Sequence, residues 1–140
     1  YELVKKHVER CRDIHKEAGY FLHKKFKKIG LNCPKPEGAF YLFPDFENFK
    51  RVLKSRRIST SEELCKTLLN EADVALLPGS NFYMSENFLA VRAASVDYDG
   101  EKVFRDFPKN GEITDEICLK MFPKLAKACD NIESWLKKNI

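Results

Sequence analysis

Among the 140 residues, Arg92 is the one whose type and setting point most directly to chemistry. In Phe88-Leu89-Ala90-Val91-Arg92-Ala93-Ala94-Ser95 the alternation predicts a strand. Leu89, Val91 and Ala93 share one face, and Ala90, Arg92 and Ala94 share the other. A guanidinium flanked on its own face only by alanines leaves room for a planar partner. A carboxylate fits best, because the Arg fork meets it with two parallel hydrogen bonds. That carboxylate belongs either to a ligand or to an Asp or Glu elsewhere in the chain, and the spacing alone does not choose between them.

Other groupings carry less. His7, Cys11 and His15 recur every four residues and would share a helix face as metal ligands, but no fourth ligand suggests itself and Cys11 falls on an apolar stripe. Asp97 and Asp99 resemble an acid pair, yet Val96-Asp97-Tyr98-Asp99-Gly100 reads more simply as a strand end and turn whose carboxylates cap a helix. Ser80 and Ser95 have no His and Asp near them in sequence to make a triad. Phe40, Tyr41, Phe43, Phe46 and Phe49, beside the basic residues Lys50, Arg51, Lys54, Arg56 and Arg57, have the composition of a stacking platform for single-stranded nucleic acid. Such an aromatic run is more often core.

The charge is unevenly spread. Residues 1–60 carry a net +8 and residues 61–140 a net −4, within a total of +4. A basic half suits an anionic partner, and it equally suits a solvated helix face and a basic loop. With 44% apolar and 12% aromatic residues the chain can build a core, which excludes the disordered and low-complexity classes. No apolar run approaches the ~20 residues of a bilayer span. Five cysteines, odd in number and without a CxxC pair, argue against a disulfide framework or a zinc site and for a reducing, cytosolic-type compartment.

These residues need elements to hold them. Val4, Val8, Cys11, Ile14, Ala18, Phe21, Leu22, Phe26 and Ile29 keep helical spacing from Leu3 to Ile29, with Gly30 as the stop and Gly19 as a point for a kink. At 1.5 Å per residue that helix is roughly 40 Å long, about as long as a whole body of radius of gyration ~14 Å. A helix of that length at a chain start often enters from another domain. Ala39–Phe43, Asp73–Leu77 and Phe88–Ser95 read as buried strands bounded by Pro and Gly. A short helix with a loop is expected in 45–59, and Thr60-Ser61-Glu62-Glu63 has the form of a capping box opening a helix to about Ala72. The tail is helical from Ile117 to Leu136, divided or restarted at Pro123. The expected fold is α/β: a small sandwich of a short mixed or antiparallel sheet covered by helices, with the long N-terminal helix leading in from a domain that precedes it.

Three segments occur in a telling order: Pro36-Glu37-Gly38-Ala39-Phe40-Tyr41-Leu42-Phe43, then Ala72 to Phe82 (ADVALLPGSNF), then Val91 to Gly100 (VRAASVDYDG). Together they resemble the C-terminal small domain of the class I/II aminotransferases, pyridoxal-phosphate enzymes of the aspartate aminotransferase fold (fold type I). The resemblance takes in residues 1–140 as one such domain, a fragment of a longer enzyme. It implies that Arg92 holds the α-carboxylate of an amino-acid or 2-oxo-acid substrate. Phe40 and Gly38 are weaker candidates for the wall on the substrate side. The sequence departs from the family pattern at Tyr83, where a Gly after the Phe is usual.

In that family the Schiff-base lysine, the aspartate under the pyridine nitrogen and the phosphate cradle lie in the preceding large domain. No lysine-site motif occurs here. The resemblance therefore implies a domain that works only with that large domain, binds pyridoxal phosphate mainly through it, and is inactive alone. It implies no catalytic, cofactor or metal ligand within this chain, a homodimeric parent, and a cytoplasmic location, with a mitochondrial one left open. Two alternatives stand beside it: a basic α/β module for nucleic acid, and an aminotransferase scaffold that has lost catalysis. The basic cluster lies away from the three segments and explains none of them, which favours the enzyme reading.

Overall fold

The computed structural model describes residues 1–140. The first helix, α1 (Glu2–Ile29), ends at Gly30, which takes the left-handed conformation with φ 102°. The Gly30 amide donates to the Lys27 carbonyl and the Leu31 amide to the Phe26 carbonyl, closing the last turn. The helix runs unbroken through Gly19. This residue serves close packing rather than a kink, since a Cβ there would come within 3.3 Å of the Pro36 ring.

The sheet has three short antiparallel strands, β1 (Tyr41–Leu42), β2 (Leu77–Pro78) and β3 (Val91–Ala94), in the order β1-β3-β2. The register pairs Tyr41 with Ala94 and Leu42 with Ala93 on one side, Leu77 with Arg92 and Pro78 with Val91 on the other. All three strands are shorter than the sequence suggests. Ala39 has φ 54°, so 39–40 is turn rather than strand. Asp73, also left-handed at φ 54°, terminates a helix and leaves 74–76 without ladder partners. Phe88 to Ala90 bonds irregularly to Pro44–Phe46 and Gly79 instead of extending β3.

Helix α2 (Lys50–Ser55) is a single short piece after a 3-10 turn at Glu47–Phe49. Helix α3 (Ser61–Ala72) opens with the full capping box: the Glu63 amide donates to Thr60 Oγ1, and the Glu63 carboxylate accepts from the Thr60 amide. Such a cap is worth ~1 kcal/mol. Helix α4 (Gly100–Asp106) is capped by Asp99, which accepts from the Lys102 amide, in line with the reading of 96–100 as a turn with helix-capping carboxylates. The tail divides at Pro123 into α5 (Asp115–Met121) and α6 (Pro123–Asn139), with the proline in the first turn of α6, where its missing N–H costs nothing.

The core gathers Phe21, Leu22 and Phe26 of α1, Leu64 and Leu68 of α3, Val91 of β3, and Ile132, Trp135 and Leu136 of α6 around Phe46 and Phe122. The start of α1 stands apart from it: Leu3 is 84% exposed and Val8 58%. No helix is long and apolar enough to cross a membrane.

Candidate functional site

Arg92 is half-buried at the centre of β3. Its guanidinium lies between two rings, 4.1 Å from the centroid of Tyr41 and 4.4 Å from that of Phe82. The alanines that flank it do leave space for planar partners, and that space is filled by aromatic faces from two other segments. Tyr41 reaches it diagonally, because its register partner Ala94 is two residues on along the same face of β3.

Phe82 reaches it because of the turn after β2. The Gly79 amide donates to the Ala90 carbonyl at 2.8 Å, and a Cβ at Gly79 would collide with that oxygen and with Met84 Sδ at 2.9 Å. The 3-10 turn Gly79–Phe82 is thereby laid against the sheet and ends at Tyr83, left-handed at φ 62°. The conformation that suits glycine is kept here by a tyrosine, wholly exposed.

Arg92 forms no ion pair with any acidic residue of the chain. The structural salt bridge that the sequence left open is therefore not what holds it. With two rings against it and no ion pair, its N–H donors remain for a partner.

Phe40 stacks on Tyr41 at 4.6 Å and on His15 at 5.8 Å. Its carbonyl accepts from the amide and the hydroxyl of buried Ser95, which ties it to the end of β3. Gly38 is exposed, and a Cβ there would meet no atom within 4 Å, so nothing in this chain requires a glycine at that position. Phe40 and Gly38 line a cleft of about 570 Å³ between α1 and the 36–42 segment, together with Arg12, His15 and Lys16. Arg92 does not line it. Tyr41 lies between, touching the guanidinium and walling the cleft.

The remaining groupings are separated or engaged. His7 Nε2 lies 3.5 Å from Cys11 Sγ, whereas His15 Nδ1 is 3.1 Å from the Tyr98 hydroxyl, so the three do not converge on one point. Burial pushes the Tyr98 phenol above its ordinary range. In the basic segment Lys50 pairs with Glu47, and Arg56 pairs with Glu71 while stacking on Trp135 at 5.7 Å. Phe46 is core, and Phe43 meets Phe82 edge-on at 5.6 Å. The sequence reading missed Tyr41 and Phe82 as partners of Arg92, and no spacing signal could have linked positions 41, 82 and 92.

The residues present do not fit a pyridoxal phosphate site by themselves. A Schiff-base lysine needs a shielded setting that depresses its pKa. None of the 18 lysines here is buried, and the one with a perturbed pKa, Lys24, is shifted upward by its hydrogen bond to Asp115.

The family model described as aminotransferase class I and II matches residues 1–100. An aspartate aminotransferase of Bacillus subtilis (strain 168) is 43% identical over 99 residues, which cover 70% of this chain and 24% of that protein. An inactive alanine aminotransferase of Saccharomyces cerevisiae is 37% identical over 82 residues, covering 54% of this chain and 16% of that one. Among solved structures, the aromatic aminotransferase from Pyrococcus horikoshii superposes with a TM-score of 0.66 at 27% identity, over 99% of this chain and 28% of that chain. The chain thus spans about a quarter of the length of the relatives it matches. Taken with the α/β sandwich and its long leading helix, this match over most of the chain shows that the protein belongs to the class I and II aminotransferase family.

Proposed function

We propose that the chain is the small domain of a pyridoxal-phosphate-dependent aminotransferase, and that Arg92 grips the α-carboxylate of the amino acid or 2-oxo acid between which the amino group moves. The observation that carries this reading is a guanidinium held at mid-strand by two aromatic faces with no carboxylate of its own chain beside it. Two charge-assisted bonds from the guanidinium edge fix the carboxylate and, through it, the direction of the substrate's α-carbon. Phe40 and Gly38 wall the neighbouring cleft. The cofactor and its lysine are assigned to the rest of the polypeptide, so no step of the cofactor's chemistry is placed on this chain.

The test is Arg92→Lys in the intact polypeptide. A lysine ammonium offers one point contact, so the loss of a charge-assisted bond of roughly 1.5–3 kcal/mol corresponds to a 10- to 150-fold rise in KM, with kcat lowered as well and the cofactor absorbance retained. Unchanged KM with lowered stability removes Arg92 from the site.

On this reading the isolated 140-residue chain forms no internal imine of its own. Borohydride trapping in the presence of the cofactor is expected to scatter label over many lysines, and a single stoichiometric site would contradict the assignment. The name of the yeast relative supports a second reading, a scaffold without catalysis. A Schiff-base lysine in the preceding domain of the polypeptide separates the two. A homodimer in the cytoplasm accompanies the enzyme reading, and the five free cysteines are in keeping with a reducing compartment.

A further inference from the structure

The carboxylate reading explains why an arginine stands at position 92, but not why two aromatic rings lie against its guanidinium. We propose that Tyr41 and Phe82 are positioning residues that hold the Arg92 guanidinium in one plane, so that a ligand carboxylate meets its edge and never its face; this rests on the assignment of Arg92 as the carboxylate grip.

An arginine on a strand has several rotatable bonds and considerable side-chain entropy to lose on ordering. In most structural arginines a carboxylate takes up that role, as Glu71 does for Arg56. At Arg92 no carboxylate is used, and the rings at 4.1 and 4.4 Å do the ordering instead. Stacked rings order the guanidinium without consuming any N–H donor, so its bidentate edge stays available.

Each ring is itself braced. Phe40 backs Tyr41 at 4.6 Å, and Phe43 meets Phe82 at 5.6 Å with planes 85° apart. The two come from opposite sides of β3, one from the edge strand β1 and one from the turn that Gly79 allows against Ala90. The guanidinium is thus gripped from both flanking segments.

The experiment compares Tyr41→Leu, Phe82→Leu, Tyr41→Phe and Arg92→Lys in the intact polypeptide, measuring KM for the amino acid and for the 2-oxo acid, kcat, and melting temperature. Loss of one stacked ring at a partly desolvated cation is expected to raise both KM values on the order of 3- to 30-fold. Here kcat should change less than KM, and Tyr41→Phe, which keeps the ring, should recover most of the affinity that Tyr41→Leu loses. In the Arg92→Lys background either Leu variant should add little. A lowered melting temperature with unchanged KM in both Leu variants makes the rings mere packing and overturns the inference. Tyr41 is exposed, so Tyr41→Leu carries the test if Phe82→Leu does not fold. Unchanged KM in Arg92→Lys itself overturns the carboxylate assignment, and the positioning role with it. Raised KM there, with none in the Leu variants, overturns the positioning role alone.

Discussion

Arg56 and Arg92 are the same side chain in two settings, one at the end of α2 and one in the middle of β3. Both stack on aromatic rings. Arg56, on the loop after α2, also pairs with Glu71, which in turn accepts from Trp135 Nε1 at 2.7 Å, so that α2, α3 and α6 are tied at one point. Arg92 has rings on both sides and no acid. The Arg56 end of the comparison is closed on itself, and the Arg92 end is stacked yet left with unspent donors. A structural arginine differs from a ligand-gripping one by whether its edge is used, and stacking alone does not tell them apart.

The comparison breaks most readily under replacement of each arginine by methionine, which keeps an unbranched apolar stem and removes the charged guanidinium. Arg92→Met is expected to raise KM by on the order of 100-fold or more, since both charge-assisted bonds go. Its melting temperature should stay level or rise, because a half-buried cation without a counterion is removed. A fall in stability with unaltered KM would make the two arginines alike.

Cysteine alkylation contrasts the outer part of α1 with the helices that Arg56 helps to tie. Burial pushes the thiols of Cys65 on α3 and Cys129 on α6 up to about 12. Cys11, on the outer part of α1, is only half-buried. In the folded protein at neutral pH, Cys11 should react with iodoacetamide at least roughly tenfold faster than either, since reaction needs an accessible thiolate. Mass-spectrometric mapping over time reads this, and equal rates would show that α3 and α6 open as freely as the outer part of α1.

Arg56→Met should cost about 1 kcal/mol, given a half-exposed ion pair and one stacking contact, with KM within about twofold of wild type; urea unfolding and steady-state kinetics measure the two.

The smallest effect is acid sensitivity at the closed end. The Trp135 indole N–H, followed by the Arg56 guanidinium, holds the Glu71 carboxyl below the ordinary glutamate range. A depressed folded value stabilises above the unfolded value of about 4.3 and loses that contribution as pH falls through the lower, folded value. The loss should be less than about 1 kcal/mol, because the carboxylate is exposed and screened. It should shrink further in Arg56→Met; urea midpoints between pH 3 and 6 would show an undiminished loss if Arg56 plays no part.

The legible parts of the fold were those specified locally. The limits of α1, the stop at Gly30, the Thr60 cap and the division at Pro123 each depend on residues within a few positions of one another. The strand limits were not, since Ala39 and Asp73 adopt left-handed conformations that their residue types do not announce. The mid-strand placement of Arg92 was legible from alternation. Its surroundings were not: Tyr41 depends on how β1 registers with β3, and Phe82 on a turn fixed by contact between Gly79 and Ala90. The Asp99 cap was legible too, but the extent of α4 was not, because Gly100, a weak helix former, opens it.

The strand order has a consequence in time. β3 is the last strand in sequence and the middle one in space, and β1 and β2 pair only with it. β1 and β2 do not pair with each other, so on a ribosome the first two strands wait unpaired until residues 91–94 have emerged. Closing the β1–β3 pair then joins positions about 50 residues apart, a non-local step of the kind that slows folding. Arg92 arrives with the same four residues that complete the sheet, so Tyr41 and Phe82 have no cation to hold until the scaffold that places them exists.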